Sequence, residues 1–402
     1  MIELKNIKSH FPIFQHHPDL VYLDNAATTQ KPQSVIDVIS NFYKKENANI
    51  HRGIYPLAVS ASQKYEAVRG KVAQFLNAKS ADEIVYTSGT TASINLVAHS
   101  FLSPRLKQGD EVIISAMEHH ANLIPWQMVC KKAGAHFRVI PMNEKGELDL
   151  AFFKTMLSRK VKLVAITHIS NSLGTINPIE EMIDLAHQKD IPVLVDGAQS
   201  VAHYPIDLQA LDVDFFTFSG HKIFGPTGIG ILYGKKQYLN GMQPHQFGGD
   251  MIKNVTFESS IFADAPQRFE AGTTNIAGVI GLGAAIDFVN ELDRNEVLVF
   301  LKEIENNLIS KLLEINDLSI FGQAKNKSAI VSFSMKNIHP HDIATFLGAE
   351  NIAVRAGHHC TQPVMDFFQI PATTRASFSI YNQAEEVDFF VEKIKEIKQF
   401  FG

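Results

Sequence analysis

Cysteine is scarce in this sequence: the 402 residues hold two, Cys130 and Cys360. Two thiols cannot build a disulfide framework or a four-thiolate metal site. Such usage suits a reducing compartment, where an isolated thiol persists. Net charge is also small, since 37 Lys and Arg against 42 Asp and Glu leave −5. That balance gives no reason to expect nucleic acid or an anionic membrane as partner. Long hydrophobic runs are missing. The most apolar window, Ile276 to Val289, falls short of the roughly 20 residues a bilayer span needs. It also carries Asp287, and it reads as a buried helix. The opening Met1-Ile2-Glu3-Leu4-Lys5 has charges and no apolar signal core, so a cytoplasmic location is expected. No repeat or low-complexity tract appears.

What is present is ordinary globular material, 45% hydrophobic and 20% charged. The length allows roughly two to four domains. Short apolar runs alternate with helical patterns. Strands are expected at 84–87, 111–114, 136–140, 163–167, 193–195, 214–218 and 230–233. Helices are expected to begin near Thr91 and Ala121. The strands are almost uniformly apolar, as when helices cover both faces of a sheet. This order predicts an α/β fold with a mainly parallel sheet over about residues 60–260. Beyond residue 275 come helices at 276–292 and 294–314, then a strand at 329–334. A helix follows Pro340, a strand is expected at 376–380, and a final helix starts near Glu385. That is α+β order. The expected division is an arm at 1–20, a large domain at 21–279 and a small domain at 280–402.

Three segments could carry chemistry. Asp196 ends the apolar run Val193-Leu194-Val195, where open α/β sheets bind ligands; capping the next helix would also explain it. Lys222, in Ser219-Gly220-His221-Lys222, follows a strand and precedes a glycine-rich turn. A lysine among apolar neighbours loses basicity and becomes an amine nucleophile, although most lysines simply lie on the surface. Gly228-x-Gly230 leads into a strand rather than a helix, which excludes a dinucleotide loop. Thr87-Ser88-Gly89-Thr90-Thr91 joins a strand to a helix. Free N–H groups and two threonine hydroxyls there form an anion cup, though a cap alone would explain one hydroxyl. A phosphate cup, an aldehyde-trapping amine and an acid at a strand end are the three needs of pyridoxal 5'-phosphate.

With these segments in place, the chain resembles the fold-type I pyridoxal-phosphate enzymes of the class V aminotransferase group, and most closely the SUF-type (group II) cysteine desulfurases. The landmarks run from Tyr22-Leu23-Asp24-Asn25-Ala26-Ala27 through His51-Arg52-Gly53 and Met117-Glu118-His119-His120-Ala121-Asn122. They continue through Asp196-Gly197-Ala198-Gln199, Ser219 to Lys222 and Arg268 to Thr273. Arg355-Ala356-Gly357-His358-His359-Cys360 and Arg375-Ala376-Ser377 close the set.

The resemblance implies a large domain with a mainly parallel sheet and a smaller α+β domain. It implies that Lys222 carries the cofactor and later shuttles the Cα proton. Asp196 would pair with the ring nitrogen, Gln199 would contact the ring phenolic oxygen, and His119 would stack on the ring. Thr90, Thr91, Ser219 and His221 would hold the phosphate. Thr273 would reach it from the neighbouring subunit of a homodimer. Arg375 and Asn171 would bind the substrate carboxylate, and Cys360 would accept sulfur from L-cysteine.

Cys360 lies in a loop marked by Gly357 and Pro363, where a thiol is accessible. Cys130, in Trp126-Gln127-Met128-Val129-Cys130, reads as a buried apolar residue. No metal site is expected, since adjacent residues such as His358, His359 and Cys360 rarely chelate one ion. The implied partners are L-cysteine and a SufE-like or SufU-like sulfur acceptor feeding iron–sulfur cluster assembly. The alternatives are a selenocysteine lyase acting on L-selenocysteine, a class V transaminase or epimerase, and a non-catalytic sulfur carrier or scaffold. Ala92, Tyr55 and Thr274 depart from the pattern.

Overall fold

The computed structural model describes residues 2–401. Near the start lie α1 (Gln33–Asn41) and α2 (Pro56–Phe75). Next come β1 (Ile84–Thr87), α3 (Thr90–Leu96), β2 (Glu111–Ser115), α4 (Ile124–Ala133), β3 (His136–Ile140), β4 (Val161–Thr167) and β5 (Val193–Asp196). The strands β6 (Phe215–Ser219) and β7 (Gly230–Gly234) complete one seven-stranded sheet, in the order β1-β7-β6-β5-β4-β2-β3. All neighbours are parallel except β7, which runs antiparallel to both β1 and β6. The sheet is therefore mixed but mainly parallel. Its central strands are buried on both faces, which explains their unbroken apolar composition.

The helix α5 (Ile276–Asn290) is buried on nearly every side and packs against α1 and α2. Such all-round apolarity belongs to a core helix, which is why the segment lacks a polar face. The helix α6 (Arg294–Leu313) follows and buries one face through Val297, Leu301, Ile304, Leu308 and Leu312. A second, four-stranded antiparallel sheet comprises Leu318–Phe321, Ile330–Met335, Thr373–Ser377 and Arg355–Gly357, adjacent in that order. The chain ends in α7 (Ala384–Phe401). Val21–Tyr22 pairs with Ile352–Ala353 in a separate two-stranded sheet, and the bridge from Asp24 to Ser377 ties the start of the chain to the second sheet. One apolar cluster runs without a break from Ile7 through the large sheet to Ile397. No helix is long and apolar enough to cross a membrane among the described residues.

Most expected boundaries move by one or two residues, and three of the shifts are informative. The helix expected from Ala121 starts at Ile124, because a separate turn at His120–Asn122 precedes it. The strand expected at 376–380 lies at Thr373–Ser377. Phe378 and Ile380 are buried, but as core residues beyond the strand end. Apolarity marked their burial, while β-branched threonines marked the strand itself. The 214–218 strand begins at Phe215, and buried Asp214 instead accepts from the Val193 N–H at 2.8 Å.

Candidate active site

The C-terminal ends of β1, β4, β5 and β6 point to one edge of the sheet, where open α/β folds bind ligands. A cavity of about 570 Å³ opens there. Thr90, Thr91, His119, Asn171, Asp196, Gln199, Ser219, His221, Lys222, Cys360 and Arg375 all line it. Thr273 does not; it is exposed and lies elsewhere on the surface.

Lys222 ends a tight turn, Gly220–Lys222, directly after β6. Burial lowers its pKa to about 8 against the opposing pull of Asp196, and Arg375 lowers it further. A neutral fraction is therefore available at ordinary pH. The preceding carbonyl, that of His221, accepts from the Thr29 N–H at 3.0 Å and from Lys31 Nζ at 3.0 Å. Asp196 is buried at the end of β5, and its carboxylate accepts the Ala198 N–H at 2.9 Å. Burial raises its pKa, against this hydrogen bond and the charge of Lys222. A buried acid with a single donor calls for a cationic or N–H partner from the cavity side.

The cup at the start of α3 depends on a close backbone approach. Gly89 has φ of 151°, and a side chain on Gly230 would stand 2.4 Å from the Gly89 Cα. The approach puts Ser219 Oγ 2.8 Å from the donating Thr90 N–H and 2.9 Å from Thr90 Oγ1. Thr91 and His221 complete the rim, beside the free N–H groups of a helix start.

His119 caps the turn at His120–Asn122, its Nδ1 accepting the Ala121 N–H at 3.0 Å. The ring proton therefore sits on Nε2. Burial lowers the pKa to about 4, helped by Lys222, so the ring is neutral. The preceding residue, buried Glu118, takes donors from Ser115 Oγ at 2.5 Å, Asn122 Nδ2 at 2.6 Å and the Thr167 N–H at 2.8 Å. These bonds join the ends of β2 and β4. Gln199 Nε2 donates to the Ala26 carbonyl at 2.8 Å.

Arg375 sits on the central part of the second sheet and is buried. Its Nη1 donates to the Asn171 carbonyl at 2.9 Å and its Nη2 to Asp24 at 3.2 Å. No protein group meets its Nε among the described residues. An incompletely satisfied buried guanidinium facing a cavity suits an incoming carboxylate. Asn171 Nδ2 donates to the His359 carbonyl at 2.7 Å, so this side chain also holds the Cys360 loop. Cys360 is exposed at the cavity rim. Cys130 is buried in α4, and burial pushes its thiol up to about 11.

Asp24, His120, Arg355 and His359 were given no role by the sequence. Asp24 bridges Arg375 and Arg355, the latter at 3.1 and 2.8 Å. All four stand in quoted landmark segments, but only folding brings residues 24, 355 and 375 together. No group of three or more His, Cys, Asp or Glu that could hold a metal ion occurs among the described residues.

The donor set fits pyridoxal phosphate. It offers a phosphate cup, a lysine of lowered pKa, a buried acid and a neutral imidazole. The family model for class-V aminotransferases matches residues 21–390. The chain is 46% identical over 406 residues to a cysteine desulfurase of Escherichia coli strain K12, with 100% of both chains covered. It is 45% identical over 399 residues to a probable cysteine desulfurase of Halalkalibacterium halodurans, with 98% of each covered. The fold matches that of the Escherichia coli cysteine desulfurase CsdA with a TM-score of 0.93, at 37% identity and with 100% of both chains covered.

Proposed function

The chain belongs to the class-V aminotransferases and within them to the cysteine desulfurases, and from that premise we propose that it converts L-cysteine to L-alanine and leaves the sulfur as a persulfide on Cys360. The observation that carries the proposal is the meeting of Lys222, Arg375 and an exposed cysteine on one cavity. Transaminases and epimerases need no thiol there.

Pyridoxal phosphate, the family's cofactor, supplies an aldehyde for the substrate amine and a ring that accepts the electron pair released at Cα. Thr90, Thr91, Ser219 and His221 would hold its phosphate, Asp196 its ring nitrogen, Gln199 its phenolic oxygen and His119 its face. Arg375 grips the substrate carboxylate, whose oxygens complete the guanidinium's donors. Neutral Lys222 Nζ takes the Cα proton and later returns it. The Cys360 thiolate attacks the substrate sulfur. An S–S bond forms and the substrate C–S bond breaks, its electron pair remaining with the carbon. Protonation of Cβ and Cα then gives alanine. The sum is L-cysteine plus Cys360 thiol to L-alanine plus Cys360 persulfide, with no outside oxidant or reductant.

In the same reading, residues 21–279 bind the cofactor and 280–402 deliver Cys360 and Arg375. The enzyme is a homodimer in which Thr273 serves the neighbouring site. Its persulfide passes to a SufE-like or SufU-like acceptor for iron–sulfur cluster assembly. A reducing cytoplasm keeps Cys360 as a thiol.

Incubation with L-cysteine followed by peptide mass spectrometry should find released alanine and one added sulfur on the Cys360 peptide. Cys360→Ser should load cofactor and yet fail to turn over L-cysteine. Persulfide formed by that variant at the wild-type level would sink the assignment.

A further inference from the structure

Cys360 sits in a backbone that its neighbours must hold in shape. His359 and Cys360 have φ of 52° and 56°, in the left-handed region that non-glycine residues seldom enter. Several contacts maintain this turn. Asn171 Nδ2 binds the His359 carbonyl at 2.7 Å, and His359 Nε2 lies 2.8 Å from Thr373 Oγ1. The His358 carbonyl takes the Thr361 N–H at 2.8 Å and its hydroxyl at 2.9 Å.

His120 supplies two more contacts. Its backbone N–H donates to the Cys360 carbonyl at 2.8 Å. Its Nε2 accepts the Gln362 N–H at 3.2 Å. One residue of the cofactor side thus grips the chain at Cys360 itself and again two residues on, at Gln362. An accepting Nε2 requires the ring proton on Nδ1. Burial, helped by the nearby His358, lowers the His120 pKa, so the ring is neutral near pH 7. The adjacent histidines therefore divide the work by opposite tautomers. His119 accepts through Nδ1 and turns toward the cavity, while His120 accepts through Nε2 and turns toward the thiol loop.

We infer that His120 is a positioning residue for Cys360, its neutral imidazole holding the 360–362 turn so that Sγ faces the cavity. The inference rests on the reading of Cys360 as sulfur acceptor. The backbone bond to the Cys360 carbonyl is kept in His120→Ala and His120→Gln, so these side-chain variants isolate the Nε2 contact.

The test compares cofactor-loaded wild type, His120→Ala and His120→Gln. Hydrogen–deuterium exchange across residues 357–363 reads the clamp, and alanine release from L-cysteine reads the reaction. Glutamine places a carbonyl oxygen within reach of the Gln362 N–H. His120→Ala should speed exchange at Gln362 by about 10-fold. It should lower kcat by about 10-fold while KM for L-cysteine and cofactor absorbance stay unchanged. His120→Gln should recover both. Unaltered exchange in His120→Ala overturns the inference, as does faster exchange with wild-type kcat, or an equal loss in both variants. Wild type that protects Gln362 but releases no alanine would instead overturn the reading of Cys360, and the positioning role with it.

Discussion

Arg375 brings a charge into the interior with incomplete pairing. Burial lowers its pKa to about 10 even with Asp24 beside it, a sign that the free protein leaves the cation short of partners. A substrate carboxylate meeting the planar guanidinium would complete them. A lysine would keep the charge and lose the two-point geometry. Arg375→Lys should therefore raise KM for L-cysteine by about 10-fold, corresponding to about 1.4 kcal/mol. Steady-state kinetics reads this directly, and an unchanged KM would remove Arg375 from carboxylate binding. Lys327 poses a different residue-scale question. It is buried with its Nζ on the Leu173 carbonyl, and burial lowers its pKa to about 7 despite Glu305. The free value is 10.5. Across that window the unfolded chain binds a proton that the folded chain does not, so stability rises with pH. Below about pH 7 both states are protonated and the full cost of burying the charge is felt. Replacing Lys327 with Met should flatten the rise in Tm from about pH 7 to about pH 9.5 relative to wild type. Parallel Tm curves would show that Lys327 does not titrate there. The slope decides, because the lost bond to Leu173 shifts only the offset.

Among the elements, the junction of β1, α3 and β7 shapes the cup proposed to hold the phosphate. Gly230 has no space for a side chain beside the Gly89 backbone. Gly230→Ala must push the start of α3 away from Ser219, so cofactor affinity should fall by about 10-fold or more in absorbance titration. Gly70 is the contrast: it lies exposed in α2 with nothing near its would-be Cβ. Gly70→Ala should stabilise the fold by about 0.5–1 kcal/mol with cofactor affinity unchanged. Equal affinities in the two variants would remove the cup from phosphate binding. The elements themselves were largely legible in the sequence, since buried parallel strands are apolar throughout and easily bounded. Less legible were the boundaries at His120–Asn122 and Thr373–Ser377, where side-chain bonds decide. His119 caps its turn with its own ring, and Thr373 serves His359 across the loop. Lys222, Asp196 and Thr90 stand out in the sequence because Asp196 ends a strand, Lys222 follows one within three residues and Thr90 opens a helix. Asp24 and His120 could not, because their roles depend on partners hundreds of residues away.

At the scale of the whole molecule, the apolar surface is distributed unevenly. Ile54, Tyr55 and Leu57 are exposed at the start of α2, and Phe247, Val255, Phe257 and Ile261 are exposed on and beside the hairpin of Ile252–Val255 and Ser260–Phe262. Asp250 joins the two regions, lying 3.5 Å from His51 and 3.4 Å from Arg52. Thr273 stands at the same surface, since the Gly272 N–H donates to the Gly249 carbonyl at 2.9 Å. The one proposed phosphate ligand missing from its own cavity thus lies beside the exposed apolar patch. Such patches on a folded chain mark contact surfaces. A second copy seated there would cover Ile54 and Phe257 and could bring its Thr273 to this cup. The pair Ile54→Asp and Phe257→Asp should then shift a wild-type dimer toward monomer in sedimentation. Cofactor affinity should fall with it, because each cup loses a ligand. Thr273→Ala should weaken cofactor binding and leave the dimer intact, separating the ligand from the interface. A monomeric wild type, or a double variant that stays dimeric, would place the subunit contact elsewhere. Full cofactor affinity in Thr273→Ala would leave the cup complete within one chain.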